Sequence, residues 1–311
     1  MGKKKVGLLI MAYGTPYEQS DIKRYYTHIR NGREPSQEAL DDLTEKYEAI
    51  GGVSPMAKIT KQQVEAISAK LNELQDDIQF EPFIGLKHIE PFIEDAVDSI
   101  REAGIEHIVS LVLAPHYSSL SIKGYNKRAK EAADKYDITI SSVESWYTEE
   151  GFIEYWAKSI EAEYVKMTED EQKNAITLFS AHSLPTNILK INDPYVDQLK
   201  ETAKLIAKKA NITNYEVAWQ SEGNTRVEWL GPDVCDVTKK LYNEDGYRTF
   251  VYAPVGFVSD HLEVLYDNDI ECKEVCDELN ANYYRPEMPN TDALFIETLA
   301  KVVLNELKVK I

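Results

Sequence analysis

Short, near-continuous apolar runs alternate with amphipathic stretches along most of the chain. Gly7–Ala12 is followed by helical spacing over Lys61–Leu74, a run over Phe80–Leu86, helical spacing over Pro91–Ala103 and a run over His107–Ala114. The second half repeats the rhythm: Ala175–Ala181, Asp197–Ala210, Tyr215–Trp219, Pro232–Asn243 and Thr249–Ala253. Apolar runs of this length predict strands covered on both faces. Amphipathic helices between them predict parallel βαβ units with helices on either side of a sheet. Asp292–Lys308 has helical spacing and is expected to pack back on the body.

The halves also match in detail. Gly7-Leu-Leu-Ile-Met-Ala-Tyr13-Gly-Thr-Pro16 aligns with Ala175-Ile-Thr-Leu-Phe-Ser-Ala-His182-Ser-Leu-Pro185, His107–Pro115 with Thr249–Pro254, and the Glu90-Pro91 segment with Gly231-Pro232. Three matches in one order indicate an internal duplication. The chain therefore reads as two similar Rossmann-type α/β domains, residues 1–147 and 148–311, each with a parallel sheet flanked by helices. Ligands of open parallel sheets bind at the carboxyl ends of the strands. Tyr13, His116, His182 and the loop after Pro254 all follow strands, so they should border one cleft.

Composition narrows the classes of function. At 311 residues there is room for two domains, and 43% hydrophobic with 28% charged residues is globular. No apolar run reaches the roughly 20 residues of a membrane helix, so stable membrane insertion is not expected. Met1–Lys5 leads straight into a strand without a cleavage site, and a cytoplasmic protein is expected. A net charge of −18 argues against nucleic acid. The charge is uneven: residues 1–60 carry nine Lys/Arg against eight Asp/Glu, leaving −19 on the rest. An anionic ligand meets least repulsion there. The three cysteines, Cys235, Cys272 and Cys276, form neither an even disulfide framework nor a CxxC pair. Cys272 and Cys276 read as neutral thiols in preference to metal ligands.

Candidate chemistry concentrates after the strands. His182 sits just past a strand, where an imidazole serves as ligand or base. Downstream, Glu263, Asp267 and Glu271 are spaced i, i+4, i+8, which on an α-helix stacks three carboxylates on one face. Their repulsion costs about a few tenths of a kcal/mol per pair unless something offsets it. A divalent cation moving along the face would do so; a solvated acidic face is the alternative. Imidazole with carboxylate suits Fe²⁺ and related first-row ions. The first segment crowds Tyr13, Tyr25, Tyr26, Arg30, Arg33, Lys46, Tyr47 and Ser54 around a Gly51-Gly52 turn. Flat aromatic faces with cationic and hydroxyl donors suit a large planar ligand bearing carboxylates, or equally a protein interface.

Taken in order, the Tyr13 and His182 motifs above, Tyr47-Glu-Ala-Ile-Gly-Gly-Val-Ser54-Pro, Gly85-Leu-Lys-His-Ile-Glu-Pro-Phe, Leu113-Ala-Pro-His-Tyr, Trp219-Gln-Ser-Glu-Gly and Pro254-Val-Gly-Phe-Val-Ser-Asp-His-Leu-Glu263-Val-Leu-Tyr-Asp resemble the ferrochelatase family over essentially the whole chain. The resemblance is nearest to the soluble coproporphyrin III enzymes of Gram-positive bacteria. It implies a chelatase-like fold with the active-site cleft between the two domains, and insertion of Fe²⁺ into coproporphyrin III in haem biosynthesis. It implies His182 and Glu263 as the iron-handling pair and Tyr13 as the ligand axial to product iron; Asp267 and Glu271, by their spacing alone, are the candidate delivery route. Arg30, Lys46, Tyr47, Ser54 and Tyr125 would contact porphyrin and propionates. Lys46 departs from the family's usual arginine and lacks its bidentate fork. Some family members hold an iron–sulfur cluster with C-terminal cysteines; nothing comparable follows Cys276, so no cluster and no permanent cofactor are expected. A monomer is expected, in transient contact at most with neighbouring haem-pathway enzymes. The alternatives are a protoporphyrin IX ferrochelatase, a cobalt-inserting tetrapyrrole chelatase and a non-catalytic haem-binding protein.

Overall fold

The computed structural model describes residues 3–223 and 225–310. Strands β1 (Lys4–Ala12), β2 (Ile78–Leu86), β3 (His107–Val112) and β4 (Thr139–Ser142) form one parallel sheet in the order β2-β1-β3-β4. Strands β5 (Ala175–His182), β6 (Tyr215–Gln220), β7 (Thr249–Ala253) and β8 (Asn282–Tyr284) form a second in the order β6-β5-β7-β8. The two orders are the same, as an internal duplication requires. The matched proline segments also play the same part: Leu86 N–H donates to Pro91 O at 2.8 Å, and Trp219 N–H donates to Pro232 O at 3.1 Å.

The central strands show why their apolar runs are continuous. In β1, Val6, Leu8 and Ile10 point into one core while Leu9 and Met11 point into another. In β5, Ala175, Phe179 and Ala181 enter that same first core, and Ile176 and Leu178 enter a third. A period-two strand with both faces buried is apolar at most positions, and the buried exceptions Thr177 and Ser180 have hydrogen-bond partners in Tyr164 and Gln220. The first core is shared by the two sheets. It is filled by helices Met56–Leu74, Glu150–Lys166, Tyr195–Lys209 and Ala293–Lys310, represented by Ile67, Trp156, Leu199 and Phe295. The halves are thus fused through one interior layer, and the C-terminal helix completes it against the first half.

Edge strands β4 and β8 lie outside the runs read from the sequence. Thr139-Ile-Ser-Ser and Asn282-Tyr-Tyr are short, partly exposed and polar, so neither presents an apolar run. They pair with β3 and β7 through backbone register, which leaves little trace in side-chain pattern.

Candidate active site

The carboxyl ends of the strands from both halves converge on a cavity of about 620 Å³. Tyr13, His116, His182 and residues 256–259 and 261–263 of the segment after β7 all line it, so the strand-end residues singled out by sequence do border one cleft. Two glycines allow the approach. A Cβ on Gly256 would lie 2.7 Å from Ala181 Cα, so only glycine lets this loop cross the end of β5 and donate its N–H to Ser180 O at 3.0 Å. Gly14, with φ +88°, turns the chain immediately after Tyr13, where a Cβ would meet Ile89 Cγ2 at 2.8 Å.

His182 closes β5. Its Nδ1 lies 2.6 Å from Ser183 O, and a carbonyl only accepts, so Nδ1 carries a hydrogen. In the neutral ring this leaves Nε2 as the free lone pair. Tyr195 O–H donates to the His182 carbonyl at 2.9 Å and fixes the backbone from behind.

Glu263 stands in the first turn of helix Leu262–Leu265. Its carboxylate lies 3.1 Å from His261 Nε2, while His261 Nδ1 lies 2.9 Å from Ser259 O. Both imidazole nitrogens therefore face acceptors. Nδ1 donates to the carbonyl, which turns Nε2 toward the carboxylate. His261 was quoted in the sequence motif but given no role there; only this geometry reveals the pair. Glu263 is the sole carboxylate among the described lining residues. Its charge helps push the Tyr13 and Tyr47 hydroxyls above their ordinary range, although burial is the larger cause for both.

Asp267 and Glu271 continue from Glu263, but not on a regular α-helix. The helix ends at Leu265 and Asp267–Cys272 forms a π turn, in which Glu271 N–H bonds Tyr266 O at 3.0 Å, five residues back. Such wider turns recur at functional sites. Ser221 Oγ donates to Asp267. Burial, then Glu263 and Glu271, raise the Asp267 carboxyl to about 7 against the pull of that hydrogen bond and of Lys46. Glu271 is also raised, mainly by burial, with Lys46 opposing. Neither carboxylate lines the cavity; they lie behind Glu263.

The opposite wall is aromatic. Tyr13, 37% exposed, opens into the cleft, packs edge-on to Tyr25 with ring centroids 6.4 Å apart and contacts the His88 ring at 4.4 Å. Tyr47 and Tyr125 also line the cavity. Lys87, which the sequence reading passed over inside its motif, lines it too, its ammonium 5.0 Å from the Tyr125 ring and 5.8 Å from that of Tyr13. Burial first, then Arg128, lower its affinity for the proton.

The other named residues sit elsewhere. Arg30 lies outside the lining, its guanidinium 5.6 Å from the Tyr26 ring and its Nε buried without a hydrogen-bond partner within the protein. Ser54 is buried, and its Oγ accepts from Met56 N–H at 3.2 Å at the start of helix Met56–Leu74. Lys46 stacks 5.0 Å over Tyr266 and lends its charge to Asp267 and Glu271, on the carboxylate side. His116 is no base at neutral pH: burial lowers it to about 3. Its Nε2 meets Thr202 Oγ1 at 2.9 Å, and that hydroxyl donates to Tyr147 O at 3.1 Å.

A cleft between twin parallel sheets, lined by imidazole and carboxylate on one side and tyrosines on the other, belongs to the chelatase class of fold. The chain superposes on the sirohydrochlorin chelatase SirB from Bacillus subtilis subspecies spizizenii, solved with cobalt, with a TM-score of 0.56 at 12% identity, covering 98% of this chain and 97% of that one. CbiX, a terminal enzyme of sirohaem biosynthesis in denitrifying bacteria, gives 0.54 at 11% identity, covering 98% and 99%.

Sequence comparison then fixes the family. The ferrochelatase family model matches residues 5–307, and the chain belongs to that family. It is 62% identical to the coproporphyrin III ferrochelatase of Oceanobacillus iheyensis and 59% identical to that of Bacillus subtilis, each over 308 residues and 99% of both chains. The Halalkalibacterium halodurans enzyme is 60% identical across the full length of both.

Proposed function

We propose that this protein is an enzyme inserting Fe²⁺ into coproporphyrin III to give Fe-coproporphyrin and two protons. The observation that carries the reading beyond family is that His182, whose Nδ1 is engaged by Ser183 O, and Glu263 line one aromatic cavity. Iron is the substrate and keeps its oxidation state. Within this proposal the chain works as a cytoplasmic monomer with no resident cofactor. No helix among the described residues is long and apolar enough to cross a membrane.

A free-base porphyrin releases two N–H protons as the metal enters. His182 Nε2 offers a lone pair to the metal or to a pyrrole proton. His261 Nε2, 3.1 Å from the Glu263 carboxylate, gives a proton leaving the cleft a second place to rest, while the carboxylate itself suits a cation. Asp267, raised to about 7, is poised to exchange protons or cations near neutrality, and Glu271 extends the same row outward. Tyr13, on the other wall of the cavity, would offer its hydroxyl to the iron of the product.

Coproporphyrin III carries four propionates where protoporphyrin IX carries two. Lys87 supplies a cation inside the cleft, and Arg30 has an unsatisfied buried donor in the first segment. A charge-assisted hydrogen bond contributes roughly 1.5–3 kcal/mol, so two extra propionates suffice to set the preference. Steady-state kcat/KM with the two porphyrins in detergent-controlled buffer tests this. Preference for coproporphyrin III, weakened at high salt, is expected; preference for protoporphyrin IX would overturn the substrate assignment.

A further inference from the structure

The thiols lie where the metal-side machinery is anchored. Cys235 Sγ and Cys272 Sγ are 3.7 Å apart, joining helix Val234–Lys240 to the π turn Asp267–Cys272. Cys235 is partly exposed, whereas Cys272 is fully buried. Cys276 is otherwise engaged, 3.2 Å from the Tyr252 hydroxyl in the core. We propose that Cys235 and Cys272 form a reversible disulfide under peroxide, a modification site that acts on the carboxylate row.

The pairing follows from access and reach. A peroxide meets Cys235 first. The Cys235 sulfur attacks one peroxide oxygen, the O–O bond breaks, and hydroxide leaves as water once it takes up the thiol proton, giving a sulfenic acid at Cys235. The Cys272 sulfur then attacks that sulfur, the S–O bond breaks and a second water leaves. Two thiols and one peroxide become one disulfide and two waters; two electrons pass from sulfur to oxygen.

A sulfur–sulfur bond is about 2.05 Å, so the two atoms must close by about 1.7 Å. The Cys235 backbone is pinned at its helix start, where its N–H donates to Asp233 Oδ1 at 2.8 Å. Closure therefore draws on the π turn. That turn is tied to the site: Asn268 Nδ2 lies 3.9 Å from Cys272 Sγ, and Gln220 Nε2 donates to both Asn268 Oδ1 at 3.2 Å and Glu263 O at 2.8 Å. Asp267 and Glu271 lie on the same turn. The disulfide thus shifts the carboxylates that the proposed function assigns to metal supply.

The bridge is read by treating the full-length protein with hydrogen peroxide, alkylating free thiols and mapping peptides by mass spectrometry. This readout uses neither porphyrin nor iron, so its failure is separate from any failure of the functional reading. A Cys235–Cys272 cross-linked peptide, lost two hydrogens in mass and restored by dithiothreitol, is expected. It should be absent in Cys235→Ala and Cys272→Ala and retained in Cys276→Ser, with Cys235→Ala sufficient should Cys272→Ala fold poorly. Three alkylated thiols after peroxide, a bridge to Cys276, or oxidation halting at a Cys235 sulfinate would each overturn the proposal. In oxidised wild type the apparent KM for Fe²⁺ should rise about threefold or more and return on reduction, with Cys235→Ala unaffected. A bridged protein with unchanged KM would overturn the link to metal supply.

Discussion

Replacing Asp267 by Asn should stabilise the protein at alkaline pH, and the size of the gain follows from the site. Burial, with Glu263 and Glu271 adding repulsion, raises this carboxyl from 3.8 to about 7 in the folded state. Between those values the native state keeps a proton that the unfolded chain has released, so the Asp267 contribution to stability falls as pH rises through the window and levels off above it. Three units correspond to a ceiling of about 4 kcal/mol. Asp267 is partly accessible and its neighbours relax, which brings the expected effect to about 1–3 kcal/mol. Asn keeps the volume and still accepts from Ser221. Urea unfolding of wild type and Asp267→Asn, with chelator present, would be compared from pH 4.5 to 8. The variant should be the more stable by about 1–3 kcal/mol at pH 8, the advantage shrinking toward pH 4.5. A difference constant across the range, or a wild type more stable at pH 8, would refute the reasoning. Retaining a charge that costs stability is expected where the charge serves a cation.

His182→Ala should lower insertion by at least about a hundredfold while coproporphyrin still binds, as followed by a Soret titration; activity near wild type would remove His182 from the metal. Glu263→Gln should impair insertion severely, and Glu271→Gln should mainly raise the apparent KM for iron; equal, negligible effects at both positions would return the row to a solvated acidic face. Lys46→Ala should alter the iron KM and leave the porphyrin KM almost unchanged, because its ammonium lies beside Tyr266 and the carboxylates. Lys87→Ala should do the reverse; a porphyrin KM insensitive to Lys87 would place propionate recognition elsewhere.

Much of this was legible in the chain. β1 and β5 announce themselves because burial on both faces forces continuous apolar runs, and strand-end positions of Tyr13 and His182 follow once parallel order is read. β4 and β8 were not legible, since short edge strands are held by backbone pairing and their side chains carry little pattern. Carboxylate spacing pointed to one face, but the π turn that carries Asp267 and Glu271 is a backbone hydrogen-bond pattern that side-chain spacing does not encode. Lys46 could be placed only in three dimensions: adjacency to Tyr47 suggested the porphyrin wall, yet successive helix residues point about 100° apart, and Lys46 turns toward Tyr266. His261 and Lys87 sat inside quoted motifs, and their roles emerge from hydrogen-bond geometry and cavity lining that spacing does not encode.

The most direct test of the central claim is anaerobic Fe²⁺ insertion into coproporphyrin III by the purified protein, followed as the free-base visible bands collapse to those of the metalloporphyrin. The account predicts turnover many orders above the uncatalysed rate in wild type and its near loss in His182→Ala with the porphyrin still bound. A wild-type protein that binds coproporphyrin yet inserts iron no faster than buffer would contradict it.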